Sequence, residues 1–213
     1  MKGLKVMIVE DDAFSRTALV DALKHQGINV VGATDNAREA IGICQTVDPQ
    51  VCICDLDLGV GPTGVDVVHA LRRINPKLGL IILTSYRDPR LADPKMAPIP
   101  VGTILMNKRE LTNMAILGTQ ISAVARDPLK KRRESKSEIG KFQKLSEIQV
   151  EILKNIAEGM STTEIARERG VSEQSIEKTI QRICRNLEIP VASDRKQRTQ
   201  LVRAFYYGAG HEL

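Results

Sequence analysis

The sequence predicts a five-stranded parallel α/β sheet with flanking helices, followed by a second, all-α domain that carries a helix-turn-helix. Three observations predict it. Short β-branched runs alternate with longer amphipathic ones through the first half. A highly charged stretch almost free of apolar residues interrupts the chain past its middle. Two capping boxes then open short helices in the second half. The 213 residues suit two small cores better than one, since domains commonly hold about 100 to 150 residues.

The expected strands are KVMIV (5–9), NVVGA (29–33), VCIC (51–54), LIIL (80–83) and TILM (103–106), each short, apolar and bounded by polar or turn residues. Between them, Asp12 is placed to cap a helix from Ala13 to about Gln26, where Gly27 supplies a left-handed stop. Asp35 is placed to cap a second helix that ends before Pro49, and a third follows Gly64 with Val65, Val68 and Leu71 on one stripe. The fourth helix position is broken by Pro89, Pro94, Pro98 and Pro100, each of which lacks a backbone donor and disfavours helix in the residue before it. At most a turn or two is expected there. A fifth helix is expected from about Glu110 to Ala125. Residues 1–125 thus read as the first domain, 126–140 (RDPLKKRRESKSEIG) as a linker, and 141–213 as the second domain.

In that second domain Ser146-x-x-Gln149 and Ser161-x-x-Glu164 are capping boxes, and each opens an apolar-periodic stretch closed by a glycine, Gly159 or Gly170. A third helix begins near Ser172, with Ile176, Ile180, Ile183 and Leu187 at helical spacing until Pro190. A fourth is expected over 199–207.

Composition excludes several classes. A 42% hydrophobic share with 27% charge is that of a soluble globular chain, and no window approaches the roughly 18 apolar residues of a membrane span. The opening MKGLKVMIVEDD reaches acid before a signal-peptide core forms, so a cytoplasmic location is expected. Cys44, Cys52, Cys54 and Cys184 lack paired zinc spacing and read as buried small hydrophobes. His25, His69 and His211 lie near no nucleophile motif, which leaves no hydrolase triad. Residues 1–125 hold 13 basic and 13 acidic side chains and residues 126–213 hold 18 and 13, so the whole +5 net charge is C-terminal. That half is the expected nucleic-acid partner.

Strand one ends in Glu10-Asp11-Asp12 and strand three in Asp55, and a parallel sheet brings these carboxylates together at its carboxyl edge, where ligands of open α/β sheets bind. Crowded carboxylates repel, and a hard divalent cation such as Mg²⁺ relieves that repulsion. Strand four ends at Thr84, a hydroxyl donor for a phosphoryl oxygen, and strand five leads to Lys108, an ammonium that neutralises it. This set resembles the receiver domain of bacterial response regulators, over roughly residues 3–125, and implies a flavodoxin-like order. The resemblance implies that Asp55 is phosphorylated by a partner histidine kinase. It further implies that Asp11, Asp55 and the backbone carbonyl of Asp57 hold Mg²⁺, with Glu10 helping through water. Three departures stand out: the loop after Asp55 (LDLGVGPTG) is one residue longer than usual with Gly59 where proline is common, Arg109 replaces the proline after Lys108, and Leu105 replaces an aromatic.

The second domain, over roughly Leu145 to Ile189, resembles the LuxR-type helix-turn-helix of the NarL/FixJ class, in which the effector follows a receiver and a linker. With the isoleucines of the third helix turned inward, Gln174, Lys178, Gln181 and Arg185 share the opposite face, with Arg182 on its flank. Gln and Lys ends suit base edges and the arginines suit phosphates, while Ser161, Thr162 and Thr163 offer donors to phosphate at a helix start. The family's base contacts carry over to Glu177, Lys178 and Gln181. Glu177 stands where a basic residue is common, and either accepts from a cytosine amino group or lies clear of the DNA.

The reading is a two-component transcriptional regulator, not an enzyme, that binds double-stranded DNA, with a sensor kinase as partner and a homodimer as the active form. One alternative is a phosphorylation-independent DNA binder whose receiver docks a protein or senses a ligand; another is a phosphoaspartyl phosphatase. Because of the prolines, signalling is expected to bypass the fourth-helix position and run through the fifth helix, with contacts on Leu111, Ile116 or Ile121 and residues 89–100 dispensable for geometry.

Overall fold

The structure, a computed structural model, describes residues 3–94, 96–111, 113–131, 142, 144–190 and 194–211. The chain divides into two compact units: Met1–Ser85 with Ala97–Glu134, and Tyr86–Met96 with Ser135–Leu213. Most of the expected linker, from residue 132 onward, lies outside the described residues.

In the first unit β1 (Lys5–Val9), β2 (Asn29–Thr34), β3 (Val51–Asp55), β4 (Gly79–Thr84) and β5 (Ile104–Asn107) form one parallel sheet of order β2-β1-β3-β4-β5. Chain direction across the sheet reverses between β1 and β3, so their carboxyl ends flank the crevice where α/β folds bind ligands. Strand alternation sorts the core. Val6, Ile8, Ile53, Ile81 and Leu83 pack with Leu23 of α1 (Ala13–His25) and with Leu117, Ile121 and Val124 of α4 (Met114–Arg126). α2 (Ala37–Val47) and α3 (Gly64–Ile74) pack against each other beside β2 and β3, burying Ala40, Cys44, Val65, Val68 and Leu71. All four cysteines are free and buried.

Local sequence explains the helix ends. The Asp12 carboxylate accepts from the Ser15 amide at 2.7 Å, and Gly27 turns with φ +73°. The second helix is capped by Asn36, whose side chain accepts from Glu39 N, and not by the expected Asp35. Asn36 is the residue in extended backbone one position before the helix, where a side-chain oxygen reaches the third amide. Thr63 and Asp66 form a capping box ahead of α3. A Cβ at Gly64 would collide with the Asp55 carbonyl oxygen, so the start of α3 lies directly on the end of β3, and Gly64 N donates to Leu56 O at 2.8 Å.

Among the described residues between β4 and β5 there is no fourth α-helix, only a 3₁₀ turn over Pro89–Leu91 capped by Asp88. Two expectations are corrected here. Residues 86–96 are not dispensable for geometry: they belong to the second unit, and Leu91 is buried in its core. Ile121 cannot present a contact from the fifth expected helix, here α4, because it is fully buried in the first core; Leu111 packs partly against that core, and Ile116 is exposed.

The second unit contains α5 (Glu147–Ala157), α6 (Thr162–Arg169), α7 (Glu173–Asn186) and α8 (Asp194–Gly208), the last starting earlier than the expected 199. Ser146 and Ser161 form the capping boxes expected of them, and Gly170 ends α6 in the left-handed conformation. Val150, Leu153 and Ile156 of α5, Ile165 of α6, Ile176 and Ile183 of α7 and Leu201 of α8 make the core. The Arg169 guanidinium meets Glu151 at 2.6 Å, tying α6 to α5.

Candidate functional site

Two sites emerge, one in each unit. In the first, β1, β3 and β5 deliver Glu10, Asp55 and Lys108 to a common point. The Lys108 ammonium donates to both Glu10 oxygens at 3.0 and 2.8 Å and to Asp55 Oδ2 at 2.8 Å. Carboxylate oxygens of Glu10, Asp11 and Asp55 lie within 4.8 Å of one another, Glu10 and Asp55 buried and Asp11 exposed. Thr84 is buried at the end of β4, in register with Asn107. Asp57 is exposed on the loop after β3, where its side chain accepts from Gly59 N.

Burial dominates the electrostatics. Desolvation, reinforced by the nearby Asp55 charge and only partly offset by Lys108, pushes the Glu10 carboxyl up from 4.5 to about 7. Asp55 is also raised, by burial first, against the opposing pull of Lys108. For Lys108 burial disfavours the charge, but the hydrogen bonds and charges of Asp55 and Glu10 together outweigh it and hold the ammonium above its usual range. One ammonium bonded to two of three clustered carboxylates leaves net negative charge and a set of hard oxygen donors, the chemistry that suits a small divalent ion.

Two positioning residues escaped the sequence reading. Arg16, on α1, donates to the backbone carbonyls of Glu10 and Asp11 at 2.6 and 3.1 Å and so fixes the turn that carries the acidic pair. Asn107 accepts from Arg109 N at 2.9 Å and caps the 3₁₀ turn Lys108–Glu110, which holds the lysine in place where a proline would otherwise stiffen the turn. The signals were present, an arginine one helical turn past Asp12 and an Asn at a strand end, but neither has meaning until the sheet is assembled.

In the second unit the turn Gly170–Ser172 sets α7 after α6. Gln174, Glu177, Lys178, Gln181, Arg182 and Arg185 are all exposed, while Ile176 and Ile183 point into the core. At about 100° per residue, Gln174, Lys178, Gln181 and Arg185 fall within an arc of about 60°. Thr163 is exposed and Thr162 half-buried at the start of α6, after the N-cap Ser161. Gln174, Lys178, Gln181 and Arg185 form one solvent-facing stripe on α7, with Glu177 and Arg182 exposed on its flanks.

Residues 6–97 match the response regulator receiver domain family, and residues 143–203 match the bacterial regulatory proteins of the luxR family. The chain is similar to nodulation protein W of Bradyrhizobium diazoefficiens, 28% identical over 177 residues that cover 80% of this chain and 74% of that protein. It is also similar to the nitrate/nitrite response regulator protein NarP of Escherichia coli, 27% identical over 192 residues, 87% of this chain and 89% of that one. Among solved structures it shares its fold with the two-component response regulator RcsB in complex with DNA, at a TM-score of 0.61 and 21% identity, covering 96% of this chain and 98% of the other. With an acidic pocket on a five-stranded parallel sheet and an exposed polar helix in a LuxR-type domain, the chain belongs to the response regulators of the NarL/FixJ class.

Proposed function

We propose that Asp55 accepts a phosphoryl group from a sensor histidine kinase and that this controls sequence-specific binding of α7 to double-stranded DNA, with a homodimer as the active form and the cytoplasm as its location. The observation that carries the reading is the placement of Lys108 on both Glu10 and Asp55, a cation already seated beside a buried carboxylate nucleophile. No helix among the described residues is long and apolar enough to cross a membrane.

In the transfer, an Asp55 oxygen attacks phosphorus, a P–O bond forms, and the P–N bond to the donor imidazole breaks with its electron pair returning to nitrogen. Lys108 neutralises charge on the phosphoryl oxygens and the Thr84 hydroxyl donates to one of them. Glu10, Asp11, Asp55 and the Asp57 backbone carbonyl are the groups that would hold Mg²⁺. When bound, that ion supplies positive charge to the phosphoryl oxygens. On DNA, Gln174, Glu177, Lys178 and Gln181 face base edges, Arg182 and Arg185 hold phosphates, and Thr162 and Thr163 present donors to the backbone.

The test is intact-protein mass after incubation with a small phosphodonor and Mg²⁺. The natural chain gains one phosphoryl group and Asp55→Asn gains none, because an amide is a poor nucleophile. Labelling of the variant would move the acceptor elsewhere, and DNA affinity that is identical with and without donor would favour a phosphorylation-independent binder.

A further inference from the structure

The segment that replaces a fourth receiver helix is built into the DNA-binding unit. Leu91 lies in the same core as Phe142, Leu145, Val150 and Leu153. A Cβ at Gly208 would come within 2.5 Å of Leu91 and 2.6 Å of Phe142, so the last turn of α8 is cut back to glycine where Leu91 inserts. The polar contacts are as specific. Arg87 N donates to Gly208 O at 2.7 Å and its Nε to Tyr207 O at 3.3 Å, while its guanidinium lies 4.0 Å from the centre of the Tyr207 ring. These carbonyls lie in the last turn of α8, and Tyr207 O also accepts from Gly210 N at 3.1 Å. Arg90 donates to Phe142 O and Leu145 O at 2.8 Å each, just ahead of α5, and is held in that pose by the buried carboxylate of Asp88 at 2.7 Å. Lys154 of α5 reaches Ala92 O at 3.5 Å.

We propose that Tyr86–Met96 is a clamp on the end of α8 and the entry to α5, and that the phosphoacceptor pocket acts on the DNA-binding unit by pulling this clamp through the short run of chain from Thr84 to Tyr86. The proposal rests on the reading of Asp55 as acceptor. Thr84 is the last residue of β4, and one residue, Ser85, separates it from Tyr86. A shift of Thr84 toward a phosphoryl oxygen is transmitted covalently to Arg87, whose backbone and side chain both cap α8. With the clamp drawn back, Gly208 O loses the Arg87 amide and Tyr207 O loses the Arg87 guanidinium, keeping only Gly210 N. α8 packs on α5 and α5 on α7, so loosening at α8 reaches the recognition helix through packed elements. Coupling of this kind is reciprocal: variants that weaken the clamp change how readily the pocket takes a phosphate mimic.

Hydrogen exchange of the full chain in Mg²⁺, with and without beryllofluoride, tests this. The mimic slows exchange in β1 and β3 and speeds it in residues 86–91 and the last turn of α8 by roughly tenfold, the effect of losing one or two hydrogen bonds. Arg90→Ala speeds exchange at the start of α5 and in α8 without any ligand, leaves β1 and β3 protected, and removes further response of α8 to the mimic. Arg87→Ala, a milder change that keeps the Leu91 core, does the same at α8 alone. Protection of β1 and β3 with no change in 86–91 and α8 overturns the coupling, and unchanged α5 and α8 in both variants overturns the clamp. Failure of the mimic to protect β1 and β3 instead breaks the acceptor reading.

Discussion

The acidic pocket and the face of α7 hold charged groups under opposite conditions of solvation. In the pocket, carboxylates from β1 and β3 and an ammonium from the turn after β5 converge from positions far apart in sequence, and two of the three carboxylates are buried. On α7 the proposed DNA-facing side chains come from one helix and are exposed to solvent. Burial makes each charge in the pocket depend on its neighbours, so the pocket is expected to answer to protons, metal and phosphate as a unit. Exposure leaves each group on α7 nearly independent, so the face is expected to respond to substitution additively.

Stability against pH gives the largest effect that separates the two. The Glu10 carboxyl sits at about 7 in the folded pocket against 4.5 as its ordinary value. Between those values the folded chain holds more protons than the unfolded one, so stability is greatest at pH 5 and falls as pH rises to 8, by roughly 3 kcal/mol at most. The raised Asp55 acts in the same direction, while Lys108, raised above its usual range, stays charged throughout the window. Thermal or urea unfolding in chelator across pH 5 to 8 measures this, and Mg²⁺ is expected to shrink the fall. A flat profile would mean the pocket is as solvated as α7 and would erase the contrast.

On α7 the expected losses are smaller and separable. Lys178→Ala weakens specific binding by about 1 to 3 kcal/mol, and Arg182→Ala weakens binding to all sequences and lowers the salt slope by about one. Titration of the two single variants and the double variant against a selected site checks both size and additivity; strong non-additivity would show that the face behaves like the pocket. Ser161→Ala is the smallest change. It removes the α6 cap and costs about 1 kcal/mol of stability in the second unit, with the first unit's unfolding unchanged.

The same contrast governs what was legible in the sequence. Short apolar runs bounded by polar or turn residues located all five strands to within a residue or two, and the strand ends then named Glu10, Asp11, Asp55, Thr84 and Lys108 without reference to any long-range contact. The α7 stripe followed from spacing alone. Errors lay where two neighbouring residues were chemically equivalent, as with Asp35 and Asn36, since only the backbone conformation decides which one caps. Thr63-x-x-Asp66 carried a readable box that the expectation for α3 left unused. Prolines at 89, 94, 98 and 100 excluded a helix correctly, but nothing local indicates which core receives Leu91. That depends on a matching space beside Gly208, more than a hundred residues away.

The contact between Gly64 and the Asp55 carbonyl bears on the unusual length of the intervening loop. The end of β3 and the start of α3 share one van der Waals surface, closed further by the bond from Gly64 N to Leu56 O. Residues 57–62 are therefore a bight of rope tied off at its base: lengthening or shortening it is expected to leave the knot, and with it Asp55, where it was. The fully exposed Val60 marks the far end of that bight. An extra residue there is expected to alter what approaches the pocket from solvent without moving Asp55, which makes this loop the natural place for the chain to be retuned, or for a probe to be inserted.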